Sequence, residues 1–321
     1  MILRELARDV AQRLRKAPLH YGHGTSNARD EAAFLVLRGL GLPFDAPAGR
    51  AVTPREAAHI GRLLRRRIRE RIPVAYLLHE AWLADELFHV DRRVIIPRSH
   101  IAFLLKDLGR PKRVLDLCTG SGCLAILAAK AFPRARVDGA DISPGALAVA
   151  QRNVAAHRLR NRVRLLKSDL MSGLGKNRYD LIVCNPPYVN ARSMRVLPRE
   201  YRYEPRMALA GGADGLELVR VILRQAFDRL EARGLLVCEI GRQRKALERA
   251  FPLAPFVWPQ AAAGQVFVLS REGLPREQNV GRPMGLEPTT TGITIQDSTF
   301  ELRSPSHLWP ARRDSNPQPP A

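Results

Sequence analysis

Aromatic side chains make up only 6% of the 321 residues, and none interleaves with the densest arginine run, so no stacking platform for bases is visible there. Cysteine is scarce: Cys118, Cys123, Cys184 and Cys238 all lie in or beside apolar segments, without a Cys-x-x-Cys pair or a nearby histidine cluster. That spacing argues against a disulfide framework or a zinc site and predicts small buried thiols in a reducing compartment, with no metal centre. No apolar run reaches the roughly 18 residues that span a bilayer. The first residues, Met1 to Leu6, include Arg4 and Glu5 and lack the apolar core of a signal peptide, so a cytoplasmic protein with no membrane partner is expected. Acidic residues are also few, 31 against 52 Lys and Arg, giving a formal charge of +21. Such a balance points to a polyanionic partner, although the arginines are spread along the chain. Their densest run is Arg62, Arg65, Arg66, Arg67, Arg69 and Arg71 on a predicted helix, read either as a solvated face or as a contact with rRNA.

What is present is a globular composition, 45% hydrophobic, with length for about two domains. Residues 1–78 read as a helical domain: Leu3, Leu6, Val10 and Leu14 have helix spacing, a second helix is expected over 29–40, and Ile60, Leu63, Leu64 and Ile68 mark a third. Tyr21 to Ser26 is a turn-rich break between the first two, and His23 within it is read as a turn residue before a catalytic base. Residues 79–99 alternate, with Trp82-Leu83, Leu87 to Val90 and Val94 to Ile96, the last two flanking Asp91-Arg92-Arg93, and predict a β-hairpin linking two domains.

From residue 100 to 274 strands and helices alternate, which predicts an α/β domain around a parallel sheet. Val114 to Leu117 runs into Cys118-Thr119-Gly120-Ser121-Gly122 and then a helix-like stretch from Leu124. A strand, a glycine turn and a helix together place backbone N–H groups against a ligand at the sheet edge. The spacing is not Gly-x-Gly-x-x-Gly, which counts against a nicotinamide dinucleotide. The next strand ends in Asp141, where a carboxylate can meet ribose hydroxyls or cap the helix after Ser143-Pro144. A third strand, 163–167, ends in Ser168-Asp169-Leu170. The fourth, 179–184, ends in Asn185-Pro186-Pro187-Tyr188. Consecutive prolines stop a sheet strand, and this turn offers a side-chain carbonyl, a proline backbone carbonyl and a flat ring, a receptacle for a planar amino group. A helix over 216–230, a strand over 234–240, a helix from Lys245 and closing strands at Val257-Trp258 and Val266 to Leu269 complete the domain. Residues 275–321 hold eight of the 24 prolines without periodicity and are expected to be a disordered, unselected tail.

Asn185 to Tyr188 resembles the signature of methyltransferases acting on amino groups, and residues 1–274 resemble the bacterial protein-glutamine N5-methyltransferases. The branch modifying the third protein of the large ribosomal subunit is matched by Trp82 with Phe88 to Asp91, Pro97-Arg98-Ser99, Asp116 to Cys123 and Glu200 to Pro205, besides Tyr21 to Thr25 and Glu70 to Leu77. The chain departs from the family pattern at Phe103, where an acidic residue is usual, and at Ala262-Ala263-Gly264-Gln265, where an acidic glycine-rich stretch is common. The resemblance implies a Rossmann-like, seven-stranded S-adenosylmethionine-dependent methyltransferase sheet with a small N-terminal helical domain for substrate recognition. It implies that Cys118 to Gly122 hold the methionine end of the cofactor, Asp141 its ribose and Asp169-Leu170 its adenine. Asn185, Pro186, Pro187 and Tyr188 would hold the glutamine, with Asn185, Pro186 and Tyr188 catalytic and Asn185 also facing the cofactor. The expected partner is a large-subunit ribosomal protein. Release-factor methylation, N6-adenine DNA methylation and a non-enzymatic assembly role are the alternatives.

Overall fold

The computed structural model describes residues 1–275, which fall into two compact units, residues 1–78 and the residues from His79 onward; the expected tail lies outside the described residues apart from Pro275.

In the first unit, α1 (Leu3–Lys16) buries Leu3, Leu6, Val10 and Leu14, the predicted stripe. Asn27 caps α2 (Ala28–Gly39) by accepting from the N–H groups of Arg29 and Asp30. Thr53 and Glu56 form a reciprocal capping box on α3 (Pro54–Glu70), whose first residue is proline. A short α4 (Val74–Leu78) follows. The arginine run of α3 is not one solvated face. Arg65, Arg66 and Arg69 are exposed, but Arg67 is buried to 1% exposure. Its guanidinium donates to Glu31 of α2 at 2.8 Å and to the His20 carbonyl at 2.9 Å. His23 is also buried, and its ring meets His20 edge-on.

The second unit opens with a hairpin built from the first two of the three predicted stretches, and the third takes no part. β1 (Glu80–Leu83) pairs antiparallel with β2 (Glu86–His89), while Val94 to Ile96 form no strand. The turn is Ala84-Asp85, both left-handed (φ 49° and 61°), the backbone of a two-residue hairpin loop without the glycine or asparagine that usually announces it. The N–H of Ile96 instead bonds the Glu204 carboxylate.

A short α5 (Ile101–Leu104) leads into the sheet: β3 (Arg113–Leu117), α6 (Cys123–Ala131), β4 (Arg136–Asp141), α7 (Pro144–Ala156), β5 (Val163–Lys167), β6 (Tyr179–Cys184), α8 (Ala191–Val196), α9 (Glu217–Arg229), β7 (Leu230–Glu239), α10 (Arg244–Ala250) and β8 (Val266–Ser270). The strand order is β5-β4-β3-β6-β7-β8, with only β8 antiparallel. Among the described residues the sheet has six strands, not seven: Val257 contributes only an isolated bridge to Val268. Two apolar clusters, one containing Val114, Val183 and Val237 and the other Leu115, Ile182 and Leu236, cover the faces, as expected for parallel strands buried on both sides. The chain reverses direction across the sheet after β5, so the crevice of this doubly wound fold opens between the carboxyl ends of β3 and β6.

Candidate active site

Strand register puts the predicted ligand groups in one row. Leu117 is the register partner of Ala140 on one side and of Cys184 on the other, and Asp141 pairs with Lys167. Reading across β5, β4, β3 and β6, the tips carry Asp169-Leu170, Asp141, the loop 118–122 and Asn185. Neighbouring strands lie about 4.8 Å apart, so the row spans about 14 Å.

The loop after β3 turns by taking Cys118 into the left-handed region (φ 60°), followed by Gly120 (φ 56°) and Gly122 (φ 79°). A Cβ on Gly122 would sit 3.1 Å from that of Ala150, so α7 packs directly on the loop. The loop's side chains are used for support. The Thr119 hydroxyl donates to Asp116, and Ser121 is buried with its carbonyl taken by Asn153 at 2.8 Å. Asn153 also exchanges bonds with the backbone of His89, tying β2 to the loop. Cys118 and Gly120 are the half-buried members of the loop. Cys184 and Cys238, at the ends of β6 and β7, are buried thiols; Cys118 and Cys123 are half-buried.

Asp141 ends β4 with one oxygen accepting the Gly120 N–H and the other the Ser143 N–H, both at 2.9 Å. The cap of α7 is Ser143, not Asp141: its hydroxyl accepts from Ala146 at 3.2 Å ahead of Pro144. Each Asp141 oxygen therefore keeps accepting capacity. Burial raises its pKa while the backbone donors oppose the shift. Beyond β5, Ser168 donates its hydroxyl to the Leu170 carbonyl at 2.6 Å, holding Leu170 in a left-handed turn (φ 46°), while Asp169 is exposed.

Asp116, beneath the loop, is 1% exposed. One oxygen accepts from Thr119 and from the Ala125 N–H, and the other has no hydrogen-bond partner among the described residues. Burial pushes its pKa from 3.8 to about 7. Because the folded value lies above the unfolded one, folding takes up a proton between these values, and stability falls as pH rises through that window. Asp116→Asn keeps an acceptor for both donors. Melting curves between pH 4 and pH 7 should be flatter for the variant by up to ~1.4 kcal/mol per pH unit; parallel wild-type and variant curves would refute this assignment.

Asn185 is half-buried at the end of β6, and no described residue hydrogen-bonds its side-chain amide. Pro186 and Pro187 are buried. Tyr188 is held from several sides. Its hydroxyl lies 3.3 Å from Glu239 and its carbonyl accepts from Gln243 at 3.3 Å. A Cβ on Gly241 would come within 2.6 Å of the ring, and one on Gly211 within 2.6 Å of the Tyr188 Cα, so both positions require glycine.

Residues that the sequence reading did not assign complete this wall. Glu239, at the end of β7, is buried and accepts from the Ser99 hydroxyl at 2.7 Å and the His100 N–H at 3.0 Å. Arg98 forks onto Glu204 at 2.5 and 2.7 Å and lies over the Tyr201 ring at 5.4 Å. The only sequence signal for Arg98, Ser99, Tyr201 and Glu204 was that their stretches carried the family resemblance. A cleft of about 130 Å³ lies against Asn185, Pro186, Tyr188, Arg98 and Tyr201. At the two departures from the family pattern, Phe103 packs on the core and Gln265 contacts the His100 ring at 3.1 Å.

Residues 100–198 match the model of the methyltransferase small domain. A ribosomal protein uL3 glutamine methyltransferase of Bordetella pertussis is 51% identical over 285 residues, covering 85% of this chain and 96% of that protein. The same-named protein of Neisseria meningitidis serogroup B is 46% identical over 289 residues, covering 86% and 95%. Among solved structures, a methyltransferase from Pyrococcus furiosus aligns with a TM-score of 0.43 at 20% identity, over 57% of this chain and 88% of that one. The extent of identity along nearly the whole length of these relatives establishes that the chain belongs to the ribosomal protein uL3 glutamine methyltransferases.

Proposed function

We propose that this chain methylates the side-chain amide nitrogen of a glutamine in the large-subunit ribosomal protein uL3, using S-adenosylmethionine and the residues at the tips of β3 to β6. The observation that carries the reading is the placement of Asn185, its side-chain amide uncommitted, one strand away from the loop 118–122. When bound, S-adenosylmethionine supplies an electrophilic methyl group on a sulfonium. The acceptor is difficult because an amide nitrogen delocalises its lone pair into the carbonyl. Asn185 Oδ1 and the Pro186 carbonyl would each accept one N–H of the glutamine, fixing the nitrogen and raising its electron density. The proline rings hold these acceptors in place before substrate arrives. Tyr188 would lie against the amide plane and exclude water, with Glu239 and Gly241 keeping its ring in place.

The fit to the cofactor rests on the donor set. Asp141 has spare lone pairs on both oxygens for a vicinal diol, the loop 118–122 offers backbone beside it, and Asp169-Leu170 flank the next position for adenine. Asp141→Ala should weaken S-adenosylmethionine binding by about 1–3 kcal/mol. Calorimetry on the folded variant checks this, and unchanged affinity would remove Asp141 from the site.

The N-terminal unit, residues 1–78, is proposed to recognise the substrate protein. No described helix is long and apolar enough to cross a membrane, and a cytoplasmic site of action belongs to the proposal. The rRNA contact expected of this unit has fewer groups to rest on than its sequence suggested, because Arg67 is buried and Arg66 lies 3.6 Å from Glu70. Incubation with labelled S-adenosylmethionine and separated ribosomal proteins, release factors and DNA tests the substrate assignment. Label is expected in uL3; label confined to a release factor or to DNA would overturn it.

A further inference from the structure

The edge of the sheet opposite the site, where the strands begin, is strongly basic. The segments entering β3, β4, β5 and β6 (residues 109–113, 133–138, 157–164 and 175–180) hold eleven Lys and Arg against two acidic residues, Asp138 and Asp180. Both carboxylates are committed inside the fold. Asp138 pairs with Arg164 at 2.7 Å and accepts the Tyr179 hydroxyl, and Asp180 accepts the N–H groups of Lys112 and Arg113. A cleft of about 510 Å³ on this edge is lined by Arg113, Arg136, Arg160, Arg162 and Arg164. Arg162 donates to the last carbonyls of α6, whereas the exposed Arg113, Arg136 and Arg160 have no carboxylate partner among the described residues. Arg113 and Arg136 are register partners on adjacent strands, so two like charges stand near one another at the exposed edge, Arg113 lying over the Tyr179 ring at 5.6 Å.

We infer that this edge is a docking surface for the sugar–phosphate backbone of RNA. The guanidinium fork matches phosphate oxygens bidentately, and the charges extend over four strand starts, which suits a continuous row of phosphates. An acidic protein partner fits less well, because the core of a protein interface is depleted of charge. The only aromatic lining the cleft, Tyr179, is buried, so the surface contacts backbone without reading bases. RNA is preferred to DNA on the reading that the substrate is a ribosomal protein, which the enzyme would then meet on its RNA. Strands of five to six residues separate this edge from the site by about 16–20 Å, leaving the crevice open while RNA is held.

The test is binding of a fluorescent single-stranded RNA of mixed sequence, followed by anisotropy from about 50 to about 200 mM KCl. In the full-length double variant Arg136→Gln/Arg160→Gln, affinity should fall at least about fivefold, and the slope of log K against log salt should shrink by about 1.4, near 0.7 per lost contact. Melting temperature and methyl transfer to isolated uL3 should be unchanged. An unaltered slope and affinity in the folded variant would overturn the inference, as would polyglutamate or duplex DNA binding the wild type as tightly as RNA. Failure of the wild type to methylate uL3, whether isolated or bound to its RNA, would count against the proposed function while leaving the binding result intact.

Discussion

Replacing Asn185 by alanine should lower turnover on uL3 by on the order of 100-fold or more, the loss typical of removing one preorganised polar contact to the reacting centre. The fold should survive, because the Asn185 side chain is half-buried and bonds no described residue, so truncation strands no buried partner. Cofactor affinity should fall far less than kcat, since Asp141 and the loop 118–122 are untouched. Asn185→Asp keeps an acceptor in place and should retain measurable activity. If it is as poor as alanine, the Asn185 NH2 group has a role of its own. Single-turnover rates with the purified protein settle the matter, and a wild-type rate in Asn185→Ala would sink the functional assignment.

The second large effect is on stability, away from the site. Glu31→Ala should destabilise the protein by about 3–5 kcal/mol, because it breaks a buried ion pair by removing the Glu31 carboxylate from Arg67. The two side chains are 3% and 1% exposed and joined at 2.8 Å, and the Thr25 hydroxyl also donates to Glu31. Against a typical total of about 5–15 kcal/mol for a domain, such a loss would be plain in urea unfolding. The double replacement Glu31→Leu/Arg67→Met removes both charges and should recover most of it. A loss below about 1 kcal/mol in Glu31→Ala would show that Arg67 finds water or another acceptor.

Local pattern carried a large part of this structure. The stripe Leu3, Leu6, Val10 and Leu14 is buried as its spacing requires, and β5 and β6 span the predicted residues, because burial repeats with the period of the backbone itself. The turn Asn185 to Tyr188 was legible as a strand end because proline cannot continue a sheet. The hairpin strands lie on Trp82-Leu83 and Leu87 to His89, as read, while Val94 to Ile96 stays outside them, and the turn between the two strands was not legible. That turn puts Ala84 and Asp85 in the left-handed region, where only pairing of the flanking strands compensates the strain, so residue type gave no signal.

Tertiary structure decided what depends on partners distant in sequence. Arg67 lies in a run of arginines that looks uniformly solvated, and only the packing of α3 against α2 brings it to Glu31. Ile96 and Arg98 are drawn to Glu204, and Ser99 and Tyr188 to Glu239, across separations no periodicity encodes. The residues that reach the cofactor and substrate were therefore determined as types at strand ends by the sequence alone. Their order in space was set by β6 pairing with β3 instead of β5, since backbone hydrogen bonding between strands is blind to their order in the chain. That one pairing puts Asn185 beside the loop 118–122.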